Sequence, residues 1–204
     1  MVSRRDREKE FKKHLIAEAA YGLFSANSFD SVTVEDIAKA AEFGKGTLYQ
    51  HFSSKEEILA HVMCQGIDKL CEAIETQCGR ETDVMTALDN SLALQYKFFS
   101  SYSRLFLALL RRKLDGTLNP DWFEEVRRSY VNKNQLIATL MEKGIQEKRL
   151  IPTDPMRLAR VLDRIIKGVS IESLTNQNFD EEKDLELIRS ILYHGILING
   201  EENK

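Results

Sequence analysis

Apolar residues recur at i, i+3 and i+4 along the whole chain, and no stretch alternates apolar with polar residues as a half-buried strand would. The pattern predicts an all-α protein. Phe11, Leu15, Ala19, Leu23 and Phe24, with Ile16 and Ala20, form a stripe along a first helix over 7–26. "SANSFDS" then breaks it with cap and turn formers. Thr33, with Asp36 three residues on, predicts an approximate capping box for a short second helix, 33–41, buried through Val34, Ile37, Ala38 and Ala41. A third short helix is expected over 45–51, and a long one over 54–78 behind the capping pair Ser54 and Glu57. Further helices are expected over 83–100, 102–114, 121–148, 155–175 and 180–198, about nine in all. Pro155 behind Asp154 fits the first position of a helix following its cap.

The two short helices are joined by the tight link "AEFG", the arrangement of a helix-turn-helix, whose second helix enters the DNA major groove. That accounts for the composition of "GKGTLYQHF". Lys45, Thr47, Tyr49 and Gln50 offer donors, acceptors and an aromatic edge near the helix start, while Leu48 and Phe52 point inward as anchors. Gly44 and Gly46 add no bulk, so backbone N–H groups can approach a phosphate. Thr33, His51 and Lys55 lie within reach of the phosphate backbone.

With "VTVEDIAKAAEFGKGTLYQHFSSKEEILAHVM", preceded by "IAEAAYGLFSANSFD", the chain resembles the TetR family of transcriptional regulators over about residues 11–63. The resemblance implies that Lys45, Gly46, Thr47, Tyr49 and Gln50 face the major groove, and that Thr33, Tyr49, His51 and Lys55 contact phosphates. Where the family usually has Gly-Val-Ser or similar in the turn, this chain has Glu42-Phe43-Gly44. A glycine in place of the serine cap costs only a few tenths of a kcal/mol. Residues 1–53 are expected to form the DNA-binding domain and 54–204 a helical effector-binding and dimerisation domain.

A helix-turn-helix monomer reads too few bases, so a homodimer on a palindromic double-stranded DNA operator is expected. "LARVLDRIIKGVSIESL" and "LELIRSILYHGILI" are apolar on more than one side, which suits a four-helix interface with a two-fold mate through Leu162, Ile165, Val169, Ile188, Leu192 and Ile196. Two deeply buried helices of one chain are the alternative reading of that pattern. The resemblance also implies an effector pocket among the middle helices. Phe98, Phe99, Tyr102, Phe106, Trp122 and Tyr130 suit a small apolar or aromatic effector.

Charge refines this picture. The net charge is −3, yet residues 1–13 carry six basic residues (Arg4, Arg5, Arg7, Lys9, Lys12, Lys13) against three acidic ones. Such a leader suits a local polyanion contact or a solvated first turn. Cys64, Cys71 and Cys78 are spaced by seven, roughly 10.5 Å along a helix, too far for a disulfide or shared metal. They read as small apolar residues lining a helix contact, with redox sensing as the alternative. No signal-peptide core or membrane-length apolar run is present, so a cytoplasmic protein is expected. The four histidines stand in no nucleophile, metal or phosphate-loop motif, so neither catalysis, a cofactor nor a metal is expected. The competing function is a helical ligand-binding or scaffold dimer without DNA binding.

Overall fold

The computed structural model describes residues 3–172, 174 and 180–196. Among them lie eight α-helices and no strand: α1 (Arg4–Ala26), α2 (Val34–Ala40), α3 (Lys45–Tyr49), α4 (Lys55–Gln77), α5 (Val84–Leu114), α6 (Pro120–Gln146), α7 (Pro155–Glu172) and α8 (Glu181–Ile196). The expected ends of the last two helices, at 175 and 198, lie outside the described residues.

Where boundaries differ from expectation, a hydrogen bond gives the reason. α1 starts three residues early because Ser3 caps it, its side chain accepting from the Asp6 N–H while Asp6 returns to the Ser3 N–H. Residues 84–114 form one helix instead of two. The serines that resemble a break bond back to the preceding turn, Ser101 Oγ to the Lys97 carbonyl (3.0 Å) and Ser103 Oγ to that of Ser100 (3.2 Å), so the helix continues through them. At α4, the Glu57 N–H donates to Ser54 Oγ (3.1 Å), but the Glu57 carboxylate reaches back to the N–H and hydroxyl of Ser53 (2.6 Å each). Asp154 caps α7 as expected, accepting from the N–H groups of Met156 and Arg157.

The chain forms two compact units. The first comprises residues 1–66 and 104–128. Its core joins Ile16, Ala17, Ala20 and Phe24 of α1 to Ile37 and Ala38 of α2, Leu48 of α3, and Ile58, Leu59 and Met63 of α4. The buried line of α1 is therefore turned slightly from the expected stripe: Phe11 is 61% exposed, and Leu15, Ala19 and Leu23 are half-buried. Residues 3–11 are exposed throughout, so the apolar stripe has nothing to pack on in the first turns. One side chain grips the α1–α2 loop at two of its residues. Arg112 is ion-paired with Asp30, and its guanidinium lies 4.9 Å from the Phe29 ring.

The second unit comprises residues 67–103 and 129–204. Its apolar core includes Ile67, Ile74, Leu88, Leu92, Phe99, Ile137, Met141, Leu162, Ile166 and Ile188. Arg189 makes a two-pronged contact to Asp89 (2.7 and 3.0 Å), and the Tyr193 hydroxyl donates to the same carboxylate (2.7 Å), tying α8 to α5. All three cysteines are thiols, Cys78 buried. Burial pushes the Cys71 thiol up to about 11, so little of it is the reactive thiolate at neutral pH.

Candidate nucleic-acid interface

Two short helices meet at a turn whose hydrogen bonds are complete. Thr33 and Asp36 form the expected box at the start of α2: the Asp36 N–H donates to Thr33 Oγ1 (3.1 Å), and the Thr33 N–H donates to Asp36 Oδ2 (2.9 Å). α2 ends in a Schellman motif, with Glu42 N–H bonded to the Lys39 carbonyl and Phe43 N–H to that of Ala38. Glu42 holds the left-handed position there, at φ 59°. Gly44 then opens α3 without a side-chain cap.

That geometry fixes what α3 presents. Leu48 is 0% and Phe52 1% exposed, both inside the core, whereas Tyr49 is 48% exposed. Lys45, Gly46 and Gln50 are exposed and Thr47 is half-buried. A Cβ added at Gly44 or Gly46 would meet nothing within 4 Å, so internal packing does not demand glycine at either position. Their bareness leaves the backbone open to approach from outside. The Lys45 ammonium is ion-paired with Glu35 of α2 and lies 5.9 Å from the Tyr49 ring centroid. The pair raises the Lys45 pKa and lowers that of Glu35.

Thr33 is exposed beside this surface; His51 and Lys55 are half-buried. Burial, reinforced by the charges of Lys12, Lys9 and Lys13, holds the His51 imidazole below its ordinary value, so it is neutral at pH 7. Among the described residues its buried Nδ1 has no hydrogen-bond partner. Lys55 is turned inward: its ammonium donates to the carbonyls of Phe29 (2.8 Å) and Val32 (2.7 Å) and sits 4.3 Å from the Phe29 ring. Burial lowers its pKa. The sequence reading did not join the basic leader to this surface. Arg5, Asp6, Glu8, Lys9 and Lys12 line an open cleft of about 680 Å³ with Gln50 and His51. The excess of positive charge in residues 1–13 is the signal that pointed to it.

In the second unit, four of the six aromatic candidates stack in pairs. Phe98 lies on Tyr102 (centroids 4.5 Å apart, planes at 24°), and Phe99 lies parallel to Tyr130 (6.1 Å, 4°). Phe106 and Trp122, both half-buried, belong to the first unit. Beside Phe99 and Tyr130 is a charged cluster that the sequence reading missed. Lys133, 0% exposed, donates to Asp163 Oδ1 (2.7 Å) and Gln95 Oε1 (2.9 Å), while Lys167 donates to Asp163 Oδ2 (2.9 Å). Asp163 and Lys167 are an i, i+4 pair, the one cue that sequence offered.

Of the six dimer candidates, Leu162, Ile188 and Leu192 are buried within the single chain, and Ile165, Val169 and Ile196 are half-buried. Other apolar residues of the same helices are exposed: Val161 on α7, with Leu187 (58%) and Ile191 (54%) on α8. Gly168 and Gly195 are also exposed, and a Cβ at either would meet nothing within 4 Å.

The head of this all-helical chain is a helix-turn-helix. Residues 16–62 match the family of bacterial regulatory proteins, tetR family. The chain is 28% identical over 191 residues to the uncharacterized HTH-type transcriptional regulator YfiR of Bacillus subtilis, covering 86% of this chain and 84% of that protein. It shares its fold with the Bacillus subtilis transcriptional regulator FadR in complex with stearoyl-CoA (TM-score 0.75, 17% identity, 89% of this chain and 98% of that one). It also shares it with a Saccharomonospora viridis protein described as a transcriptional regulator, solved in complex with choline (TM-score 0.77, 21% identity, 92% and 98%). The match to the tetR family is carried by the head, residues 16–62, and the likeness of fold by most of the chain. Among the described residues, no helix is long and apolar enough to cross a membrane.

Proposed function

We propose that this protein is a cytoplasmic repressor that binds a palindromic operator as a homodimer and is released by a small-molecule effector. One observation carries the reading. α3 buries Leu48 completely while turning Lys45, Tyr49 and Gln50 to solvent, the disposition a helix needs to enter a major groove. Lys45, Gly46, Thr47, Tyr49 and Gln50 read the groove. Thr33, His51 and the basic residues Arg5, Lys9 and Lys12 bind phosphates. Lys55 positions the α1–α2 loop and does not touch DNA.

Residues 1–53 supply the reading head, and 54–204 the effector site and dimer surface. The outward line Val161, Ile165 and Gly168 on α7, with Leu187, Ile191 and Gly195 on α8, packs against its two-fold mate. Leu162, Ile188 and Leu192 form the floor beneath it. Of the two fold neighbours, one holds choline and the other stearoyl-CoA, which supports an effector site without choosing its ligand. Effector binding in the second unit changes the spacing of the two heads, to the extent that the ligand prefers one spacing over the other. The chain acts without catalysis.

The rival reading, a scaffold dimer without DNA binding, is separated by gel shift on the DNA upstream of the protein's own gene at stated salt. A regulator loses affinity on Tyr49→Ala. A scaffold shows no specific shift to lose.

A further inference from the structure

Burying an ammonium costs several kcal/mol even after the protein relaxes, and an apolar residue of similar volume often packs as well or better. A fully buried lysine in a helical core is thus a poor packing choice that calls for another explanation. Lys133 is such a residue. It sits with Lys167 on opposite oxygens of one carboxylate: Asp163 gives Oδ1 to Lys133 (2.7 Å) and Oδ2 to Lys167 (2.9 Å). Two cations share one anion.

The cluster meets solvent through one of its members. Lys133 is closed in, but the Lys167 side chain is 18% exposed, so the cluster is reachable from the Lys167 side. The Lys167 ammonium lies 3.8 Å from the Tyr130 ring centroid and 5.1 Å from that of Phe99, and the two rings are parallel. Flat apolar faces therefore stand beside a doubly cationic group. Burial lowers the pKa of both lysines, opposed by Asp163. Burial alone would raise the Asp163 carboxyl, but the two ammonium groups outweigh it and hold it below the usual carboxylate range. Both ammonium groups are held on the Asp163 carboxylate, so an incoming anion meets two donors already oriented.

Resting on the effector reading above, we propose that this cluster is the anion-recognising end of the effector site. The effector is an organic carboxylate whose acid group binds Lys167 and Lys133 and whose apolar body lies against Phe99 and Tyr130. Asp163 is the resident stand-in that keeps the lysines oriented when the site is empty. A cationic effector, the other class an aromatic site accepts, is opposed by both ammonium groups.

Calorimetric titration of the full chain with 4-phenylbutyrate, its amide and 4-phenylbutylamine tests this. The acid is expected to bind at least about tenfold tighter than the amide, the worth of one hydrogen bond to a charged group, with no binding of the amine. Lys167→Met should erase the acid–amide difference. Asp163→Asn should tighten acid binding, whereas a purely structural aspartate would weaken it on removal. Equal affinity for acid and amide, preference for the amine, or no acid binding at millimolar concentration overturns the proposal. The wild-type comparison decides even if a variant fails to fold. Binding of the ligand-free protein to its upstream DNA is measured alongside: its failure would sink the regulator reading, while the acid–amide difference judges this one alone.

Discussion

The ammonium of Lys55, the first residue of α4, is committed to the carbonyl of Phe29 at 2.8 Å and, through a second hydrogen bond, to that of Val32. This lysine ties the start of α4 to the loop that sets α2 on α1. Lys55→Met leaves two carbonyls without their charged donor and should lower unfolding free energy by about 2 kcal/mol in urea titrations. The salt dependence of DNA binding by the folded variant should stay unchanged. A slope shallower by about one contact would make Lys55 a phosphate ligand after all.

Glu35 stands beside the exposed face of α3 as the partner of Lys45. The pair is exposed, so breaking it changes stability little. On DNA, Glu35 competes with phosphate for the ammonium. Glu35→Gln should therefore tighten operator binding at low salt by about fivefold in fluorescence anisotropy. Weaker binding would show instead that Glu35 holds Lys45 in its productive orientation.

Glu42 closes α2 at φ 59°, a left-handed position that a Cβ makes unfavourable by about 1 kcal/mol. Glu42→Gly should raise the melting temperature by about 2–4 °C in a chain of this size. An unchanged or lower value would mean that the Glu42 side chain makes a stabilising contact that offsets the strain.

How far the sequence was legible follows the range of the interactions involved. The turn, the Thr33 and Asp154 caps and the inward Leu48 beside the outward Tyr49 rest on neighbours three or four residues apart, and local pattern carries them. The continuity of α5 was lost because serines that bond back to the preceding turn look like breakers when only residue type is seen. The surroundings of Lys55 and Lys133 were out of reach for another reason. Periodicity assigns a face to a side chain, but whether its ammonium meets water, the Phe29 carbonyl 26 residues away or the Asp163 carboxylate 30 residues away is decided by tertiary packing. The same limit separates Leu192, in the core, from Ile191, on the surface.

That last distinction is testable. Ile191→Glu should convert the proposed dimer to a monomer in light scattering while thermal stability of the fold persists, because the side chain faces outward. Leu192→Ala should instead cost about 2–5 kcal/mol of stability, as a cavity in the core does. A dimer mass unaffected by Ile191→Glu would move the two-fold interface off α8.

The most direct measurement of the central claim is anisotropy of labelled DNA from upstream of the protein's own gene, titrated with wild-type and Tyr49→Ala protein across a salt series, with circular dichroism to verify the fold. Tight, salt-dependent wild-type binding is expected, which Tyr49→Ala weakens about tenfold or more without loss of helix. Equal binding by the two proteins, or none by the wild type at any salt, would contradict it.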